Sequence, residues 1–248
     1  MIALVTGASS GIGKDLALNL SDLGYELILV ARNKKKLNEV ANECKTKVKT
    51  VALDLSKEEN CKELFKKYKN VDVLINNAGY GIFGEFNKTG LDDELNMIDL
   101  NIKAVHVLTK LYLNEMIKKD SGRILNVASS AAFLPGPLMS TYYSSKSYVF
   151  KLTTAIYEEL RRIKSNVKVS VLCPGPVNTN FNDTAGVSFS VKGLNSDYVA
   201  SYTIKKMFKD KLVIVPGFMN KLSVIGCKIA PLKILLKIDY NIQRKKEK

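Results

Sequence analysis

The sequence predicts an α/β protein with a doubly wound, mainly parallel sheet of seven strands and helices on both faces. Two observations predict it. Short apolar runs alternate with longer amphipathic segments along most of the 248 residues, as in repeated strand–helix units. A glycine-rich turn at residues 7–13 follows the first apolar run and leads into the first amphipathic segment. Apolar residues make up 46% of the chain, which is enough for the core of such a domain.

The elements follow from this alternation. Apolar runs bounded by turn residues are predicted as strands at 2–5, 27–30, 48–53, 71–75, 123–128, 167–173 and 212–215. Helices are predicted at 14–23, 34–45, 57–69, about 91–119, 142–164 and 197–209. Loops are expected at 80–89 and 129–141, and an irregular polar stretch at 178–195. Because parallel strands end at the same edge, the loops that follow them should line one crevice.

We predict one domain over residues 1–217 and a basic, amphipathic, helical C-terminal tail over residues 218–248. Pro231 should split the tail into two short helices. Leu232, Leu235, Leu236 and Ile242 recur at helical spacing among many basic residues. Such a segment can lie in a membrane interface, or its apolar side can pack on the domain or on a partner subunit, and the sequence leaves both open.

The composition indicates which partners and which cell compartment to expect. With 38 Lys and Arg against 24 Asp and Glu, the net charge is +14, but the lysines are spread along the chain without a nucleic-acid-binding module. We therefore expect a lysine-rich solvated surface and no nucleic acid partner. The four cysteines are scattered along the chain, and the sequence shows neither a signal peptide nor an apolar run of ~18 residues. These observations favour the cytoplasm. His106 is the only histidine, which excludes a multi-histidine metal site, and no metal is expected.

The glycine turn indicates a phosphate site. Gly7, Gly11 and Gly13 let the backbone approach a pyrophosphate closely and let the following helix pack on the strand. The free N–H groups and the dipole at the start of that helix favour an anion there. Strand, glycine turn and helix together predict a Rossmann-type dinucleotide-binding fold.

A second constellation carries acid–base chemistry. Tyr142 and Lys146 are four residues apart in a predicted helix, so both side chains lie on one face. A nearby ammonium lowers the pKa of a phenol and makes proton exchange with a carbonyl or alcohol oxygen feasible near neutral pH. Ser129 ends the fifth strand thirteen residues earlier and can donate to the same oxygen, and Asn101 is expected to open the helix before that strand.

These residues resemble the motifs of the short-chain dehydrogenase/reductase family, from Thr6–Gly13 through Asn101, Ser129 and Tyr142-x-x-x-Lys146 to Pro174-Gly175. The resemblance implies an oxidoreductase acting on carbonyl and alcohol groups, with a nicotinamide cofactor. It implies that Tyr142 is the acid/base, that Lys146 modifies its pKa and binds the nicotinamide ribose, that Ser129 orients the substrate and that Asn101 joins a proton relay. It further implies a homo-oligomer. Residues 128–133 and 215–217 resemble the DltE-like branch.

The predicted cofactor contacts extend along the same motifs. They are Gly7, Ser9, Ser10, Gly11, Ile12, Gly13, Arg32, Asn33, Asp54, Leu55, Asn77, Ala78, Gly79, Tyr142, Lys146, Pro174, Gly175, Val177 and Thr179. Arg32 ends the second strand, where an arginine accommodates the 2′-phosphate of NADP, and no acidic residue lies between Glu26 and Glu39. We therefore expect NADP(H) as the cofactor.

The substrate is less well defined by the sequence. Apolar residues between Ser129 and Tyr142, and Tyr80, Ile82 and Phe83 after the fourth strand, predict either an apolar substrate pocket or a core or subunit contact. The apolar residues of the first group are Phe133, Leu134, Pro135, Leu138 and Met139. Two alternatives to an enzyme stay open: a cofactor-binding sensor or scaffold of the same fold, and a protein associated with a membrane surface.

Overall fold

The structure, a computed structural model, describes residues 1–179 and 193–245. Its main sheet consists of β1 (Ile2–Thr6), β2 (Glu26–Ala31), β3 (Val48–Ala52), β4 (Val73–Asn76), β5 (Arg123–Val127), β6 (Lys168–Leu172) and β9 (Val213–Ile214). All seven strands are parallel and lie in the order β3-β2-β1-β4-β5-β6-β9. This confirms the predicted doubly wound sheet, whose strand order reverses between β1 and β4.

Helices cover both faces, as predicted. They are α1 (Gly11–Asp22), α2 (Lys34–Glu43), α3 (Glu58–Lys67), α4 (Leu91–Ile98), α5 (Val105–Lys119), α6 (Ser140–Arg162), α7 (Ser196–Met207), α8 (Phe218–Ile229) and α9 (Leu232–Arg244). Successive side chains of a strand point to opposite faces. Ala3 and Val5 therefore join the core formed with α1 and α7, whereas Leu4 joins the core formed with α3, α5 and α6.

Three local features differ from the predicted elements. The helical segment 91–119 contains a π-helical stretch at Asp99–Ala104, between α4 and α5. The predicted loop before α6 contains a 3₁₀ turn at Ser130–Phe133. Of the predicted irregular stretch, residues 180–192 lie outside the described residues, and its two ends form a small parallel pair, β7 (Val177–Asn178) with β8 (Leu194–Asn195).

Pro231 separates the two tail helices, as the sequence predicts. The proline ring excludes a backbone N–H donor, so α8 ends at Ile229 and α9 begins at Leu232. Within residues 1–179 and 193–245, none of the helices combines the length and the hydrophobicity that a membrane span requires.

Candidate active site

A cavity of about 530 Å³ lies at the carboxyl edge of the sheet, next to the point where the strand order reverses. Ligands of open α/β sheets bind at this position. Every predicted cofactor contact lines the cavity, and so does Ser129. Asn101 does not line it and lies behind the wall.

The glycine turn forms one wall of this cavity with its backbone drawn close together. Gly7 and Gly11 have positive φ values of 65° and 53°, which glycine adopts without strain. A Cβ on Gly13 would lie 2.3 Å from the carbonyl oxygen of Gly7, so α1 packs directly on the turn. The first turn of α1 carries no acidic side chain. This backbone cradle and the start of α1 fit a pyrophosphate.

Side-chain hydrogen bonds hold the turn to the end of β4. The Thr6 hydroxyl oxygen accepts from the backbone N–H groups of Asn77 and Ala78, at 2.9 and 3.1 Å. The Asn77 amide donates to the carbonyl oxygens of Thr6 and Gly7, at 3.1 and 3.2 Å. The Asn77 side chain therefore has a positioning task that the sequence analysis did not assign to it.

Basic side chains line the end of the cavity that lies next to the carboxyl end of β2. Arg32 is exposed there, and Lys36 lies one helical turn further on. The side chain of Asn33 caps α2 by accepting from the backbone N–H of Lys36, at 3.0 Å. Asp54, the only acidic residue that lines the cavity within residues 1–179 and 193–245, accepts from the backbone N–H and the hydroxyl of Ser56. Lys36 is not among the predicted cofactor contacts, although the lysine run at 34–36 lies next to Arg32 in the sequence.

Tyr142 and Ser129 lie next to each other at the opposite end of the cavity. Tyr142 is 9% exposed, and burial raises the pKa of its phenol to about 12, while a hydrogen bond with the Ser129 side chain acts in the other direction. The Ser129 oxygen also accepts from the backbone N–H of Ala131, at 3.1 Å, and lies 3.4 Å from the carbonyl oxygen of Pro174. The serine is thereby fixed beside the phenol.

Lys146 corrects one expectation. Its ammonium donates to the carbonyl oxygen of Val127, at 3.0 Å, and lies 5.8 Å from the centre of the Tyr142 ring. Burial lowers the pKa of Lys146 to about 8. Burial of the phenol raises the pKa of Tyr142, which is opposite in direction to the depression expected from this ammonium.

Asn101 is a second correction. It does not open a helix but lies inside the π-helical stretch, completely buried. Its amide oxygen accepts from the backbone N–H of Tyr80, and its amide nitrogen donates to the carbonyl oxygen of Tyr80 and to the Ser145 hydroxyl. Ser145 in turn donates to the carbonyl oxygen of Tyr142, at 2.6 Å. Asn101 thus connects the 80–89 loop to the helix that carries Tyr142.

The two alternatives for the apolar residues around Tyr142 each hold in part. Met139 and Tyr80 line the cavity. Leu134, Ile82 and Phe83 pack in the cluster that includes Met97, Tyr142 and Tyr143, without lining the cavity. Phe133 instead packs edge-on against Phe150, with 4.7 Å between ring centres.

The C-terminal helix contacts this end of the site through polar residues, whereas the sequence left open that its apolar side packs on the domain. Asp239, 2% exposed, accepts from the backbone N–H of Gly136 at 2.9 Å. Gln243, completely buried, hydrogen-bonds the Tyr143 hydroxyl. Tyr143 lines the cavity, and Gly136 packs against its ring. The loop at 134–139 is therefore held between α6 and α9.

Comparisons with known proteins agree with this geometry. A family model described as short chain dehydrogenase matches residues 1–187. An uncharacterized oxidoreductase of Staphylococcus epidermidis is 33% identical over 192 residues, which cover 76% of this chain and 82% of that protein. A short-chain dehydrogenase from Sphingobium yanoikuyae, solved with NADPH, is 26% identical and superposes with a TM-score of 0.82 over 88% of each chain.

A third match supports the fold alone. A short-chain dehydrogenase/reductase from Burkholderia phymatum, solved with NAD, is 24% identical, with a TM-score of 0.82 over 90% of this chain and 91% of that one.

Proposed function

The chain belongs to the short-chain dehydrogenase family, and from that premise we propose that it interconverts a carbonyl group and an alcohol on an apolar small molecule with NADP(H). The observation that carries the proposal is the placement of Ser129, Tyr142 and Lys146 at one end of a cavity whose other end carries Arg32. The assignment of the chain to the DltE-like branch remains a prediction from the sequence.

The chain's own residues have separate tasks in this proposal. Tyr142 donates its phenolic proton to the carbonyl oxygen during reduction and accepts the alcohol proton in reverse. Ser129 holds the same oxygen by a hydrogen bond, and Lys146 binds the nicotinamide ribose. When bound, NADP(H) supplies or accepts the hydride. Asn101 acts indirectly, through its hydrogen bonds to the Tyr80 backbone and to Ser145.

The proposed preference for NADP(H) is supported by the charges beside β2. Arg32 and Lys36 line that end of the cavity, and a guanidinium can bind a phosphate through two parallel hydrogen bonds. Asp54 is nearby, but its carboxylate is engaged by Ser56, which leaves the basic pair as the groups suited to a 2′-phosphate. The apolar substrate is supported by Met139 and Ala131 on the wall near Tyr142.

A carbonyl and alcohol panel tests the proposal. The purified protein is mixed with NADPH and each carbonyl compound, or with NADP and each alcohol, and the absorbance of NADPH is followed. Turnover with apolar ketones or aldehydes is expected. Tight NADPH binding without turnover on the whole panel would instead favour the sensor or scaffold alternative.

Assembly and compartment are part of the same proposal. We expect a homo-oligomer, to be measured by light scattering on the eluting protein. We place the protein in the cytoplasm, where its four unpaired cysteines would stay reduced, and cell fractionation tests this.

A further inference from the structure

The first tail helix presents an apolar stripe to the outside. Phe218, Leu222, Ile225 and Ile229 recur every three or four residues of α8 and therefore share one face. They are 71%, 46%, 54% and 78% exposed. Val224 is the only buried residue of α8. An ordinary surface helix turns its apolar stripe toward the core, so α8 has the opposite orientation.

The second tail helix is inverted as well. Asp239 and Gln243, one turn apart, are its buried residues, and both are polar. Ile234, Ile238 and Ile242 form a neighbouring stripe of the same spacing and are about half exposed. The bonds from Asp239 and Gln243 to the main domain fix this orientation, so the isoleucine stripe stays outside.

The exposed stripes on α8 and α9 are candidates for an interaction surface. Rows of exposed apolar side chains along a helix face mark an interaction site with a protein or a membrane. The charges around it decide between the two. Within residues 218–245 the basic residues are Lys221, Lys228, Lys233, Lys237, Arg244 and Lys245, whereas the only acidic residue, Asp239, is buried.

This one-sided charge disfavours a second copy of the chain as the occupant. Two such surfaces would bring like charges together, on proteins that each carry a net charge of +14. Anionic lipid headgroups have the complementary charge, and acyl chains can receive the isoleucine and phenylalanine side chains while lysines reach back to the headgroups. We propose that α8 and α9 form a docking surface for an anionic lipid membrane. This goes beyond the proposed reaction and does not depend on it.

Vesicle flotation tests the proposal with the full chain, without substrate or cofactor. Vesicles of phosphatidylcholine alone are compared with vesicles that contain about one third phosphatidylglycerol. The wild-type protein should float with the anionic vesicles and stay behind with the neutral ones, and added salt should weaken the binding. Wild-type protein that does not float with anionic vesicles overturns the proposal.

Three variants distinguish membrane binding through this surface from attraction by the overall charge of the protein. Replacing Ile234, Ile238 and Ile242 together by Gln should lower the partition coefficient about tenfold or more, because the apolar insertion is lost. The pair Lys233→Glu and Lys237→Glu should weaken binding similarly. The matched control, Lys66→Glu with Lys67→Glu, makes the same charge change on α3 and should alter binding less than about threefold.

The outcomes are distinct. Equal losses in the control and in the lysine pair on α9 would mean that total charge alone attracts the protein, and would overturn the proposal. A dimer that the glutamine variant dissociates, together with absence of vesicle binding, would assign the stripes to a second copy. Circular dichroism of each variant confirms that it is folded, and the wild-type measurement decides the question even if a variant is not.

Discussion

Tyr142 is the residue on which the proposed chemistry depends most directly. Tyr142→Phe removes only the phenolic oxygen, so we expect turnover to fall by at least ~10²-fold, the lower range for a positioned acid–base group. NADPH affinity should change little, because the phosphate cradle lies at Gly7–Gly13. Steady-state kinetics and a fluorescence titration measure the two effects. Activity comparable to the wild type would refute the acid/base assignment.

Tyr143→Phe is the matched control, and the structure adds a consequence to it. Catalysis should be only mildly affected, but the buried Gln243 amide loses its bond to the Tyr143 hydroxyl. The amide then keeps only its 3.4 Å hydrogen bond to Asp239, and losing the other bond in a buried site costs about 1–3 kcal/mol of unfolding free energy. Urea unfolding should therefore show a loss of stability in Tyr143→Phe, while its activity stays near that of the wild type.

Arg32 determines the proposed cofactor preference. Hydrogen bonds from its guanidinium to the 2′-phosphate, at about 1.5–3 kcal/mol, imply a roughly ten- to hundredfold preference for NADPH over NADH. Arg32→Asp should reverse it, since a carboxylate repels the phosphate and can accept the 2′-hydroxyl. Lys36→Ala should reduce the preference without reversing it. The ratio of kcat/KM for the two cofactors is the measurement, and an unchanged ratio in Arg32→Asp would contradict the proposal.

Lys146 links the site to stability through its titration. Its pKa is lowered to about 8 by burial, below the ordinary value of 10.5. Between these values the unfolded chain binds the proton and the folded chain does not, so folding stability rises with pH across that interval. Lys146→Met should raise the unfolding free energy at pH 7 by about 1–3 kcal/mol while abolishing activity.

The gain from Lys146→Met has a defined pH dependence. It should shrink as the pH rises from 8 toward 10.5, because the wild-type lysine is then neutral when folded. Urea unfolding at several pH values measures this. A gain that stays constant with pH would mean that packing, and not the buried charge, is responsible.

At the scale of elements, α1 depends on its close approach to the glycine turn. A Cβ at position 13 would lie 2.3 Å from the Gly7 carbonyl oxygen and 2.4 Å from the Asn77 amide. Gly13→Ala should therefore force α1 outward, cost about 1–3 kcal/mol and weaken NADPH binding. Gly226→Ala in α8 is the control: nothing lies within 4 Å of its Cβ, and alanine should stabilise the helix by about 0.5–1 kcal/mol.

Sequence patterns predicted the elements well where the local chemistry determined them. The seven strands were visible because buried parallel strands are continuous apolar runs between turn residues, as in Ile2–Thr6 and Val73–Asn76. The π-helical position of Asn101 was not visible, and its hydrogen-bond partners, Tyr80 and Ser145, are distant in sequence. The raised pKa of Tyr142 was not visible in the sequence either, since burial is set by the whole fold.

The orientation of the tail also depends on tertiary contacts. Periodicity predicted two amphipathic helices, and the Leu232–Arg244 helix indeed has a strong apolar side. It could not predict that Asp239 and Gln243 would be the buried residues, because their partners, Gly136 and Tyr143, lie about a hundred residues away. A sequence rule that places apolar residues inside is correct for most helices and wrong for this one.

At the scale of the whole molecule, the cofactor and substrate ends of the cavity depend on different parts of the chain. The predicted cofactor contacts all precede residue 180, and the seven strands of the main sheet end at Ile214. The 134–139 loop near Tyr142, by contrast, is held by α9 through Gly136. The tail should therefore influence substrate binding more than cofactor binding.

Deletion of residues 221–248 tests this division. The shortened chain should fold and bind NADPH with nearly unchanged affinity. KM for the carbonyl substrate should rise about tenfold, since each hydrogen bond lost from the loop and Tyr143 contributes about 0.5–1.5 kcal/mol to holding them in place. Asp239→Ala, which removes one of these contacts and keeps the helix, should raise KM by a smaller factor. An aggregated or unfolded product would mean that the tail is integral to the domain, and an unchanged KM would mean that α9 does not hold the loop.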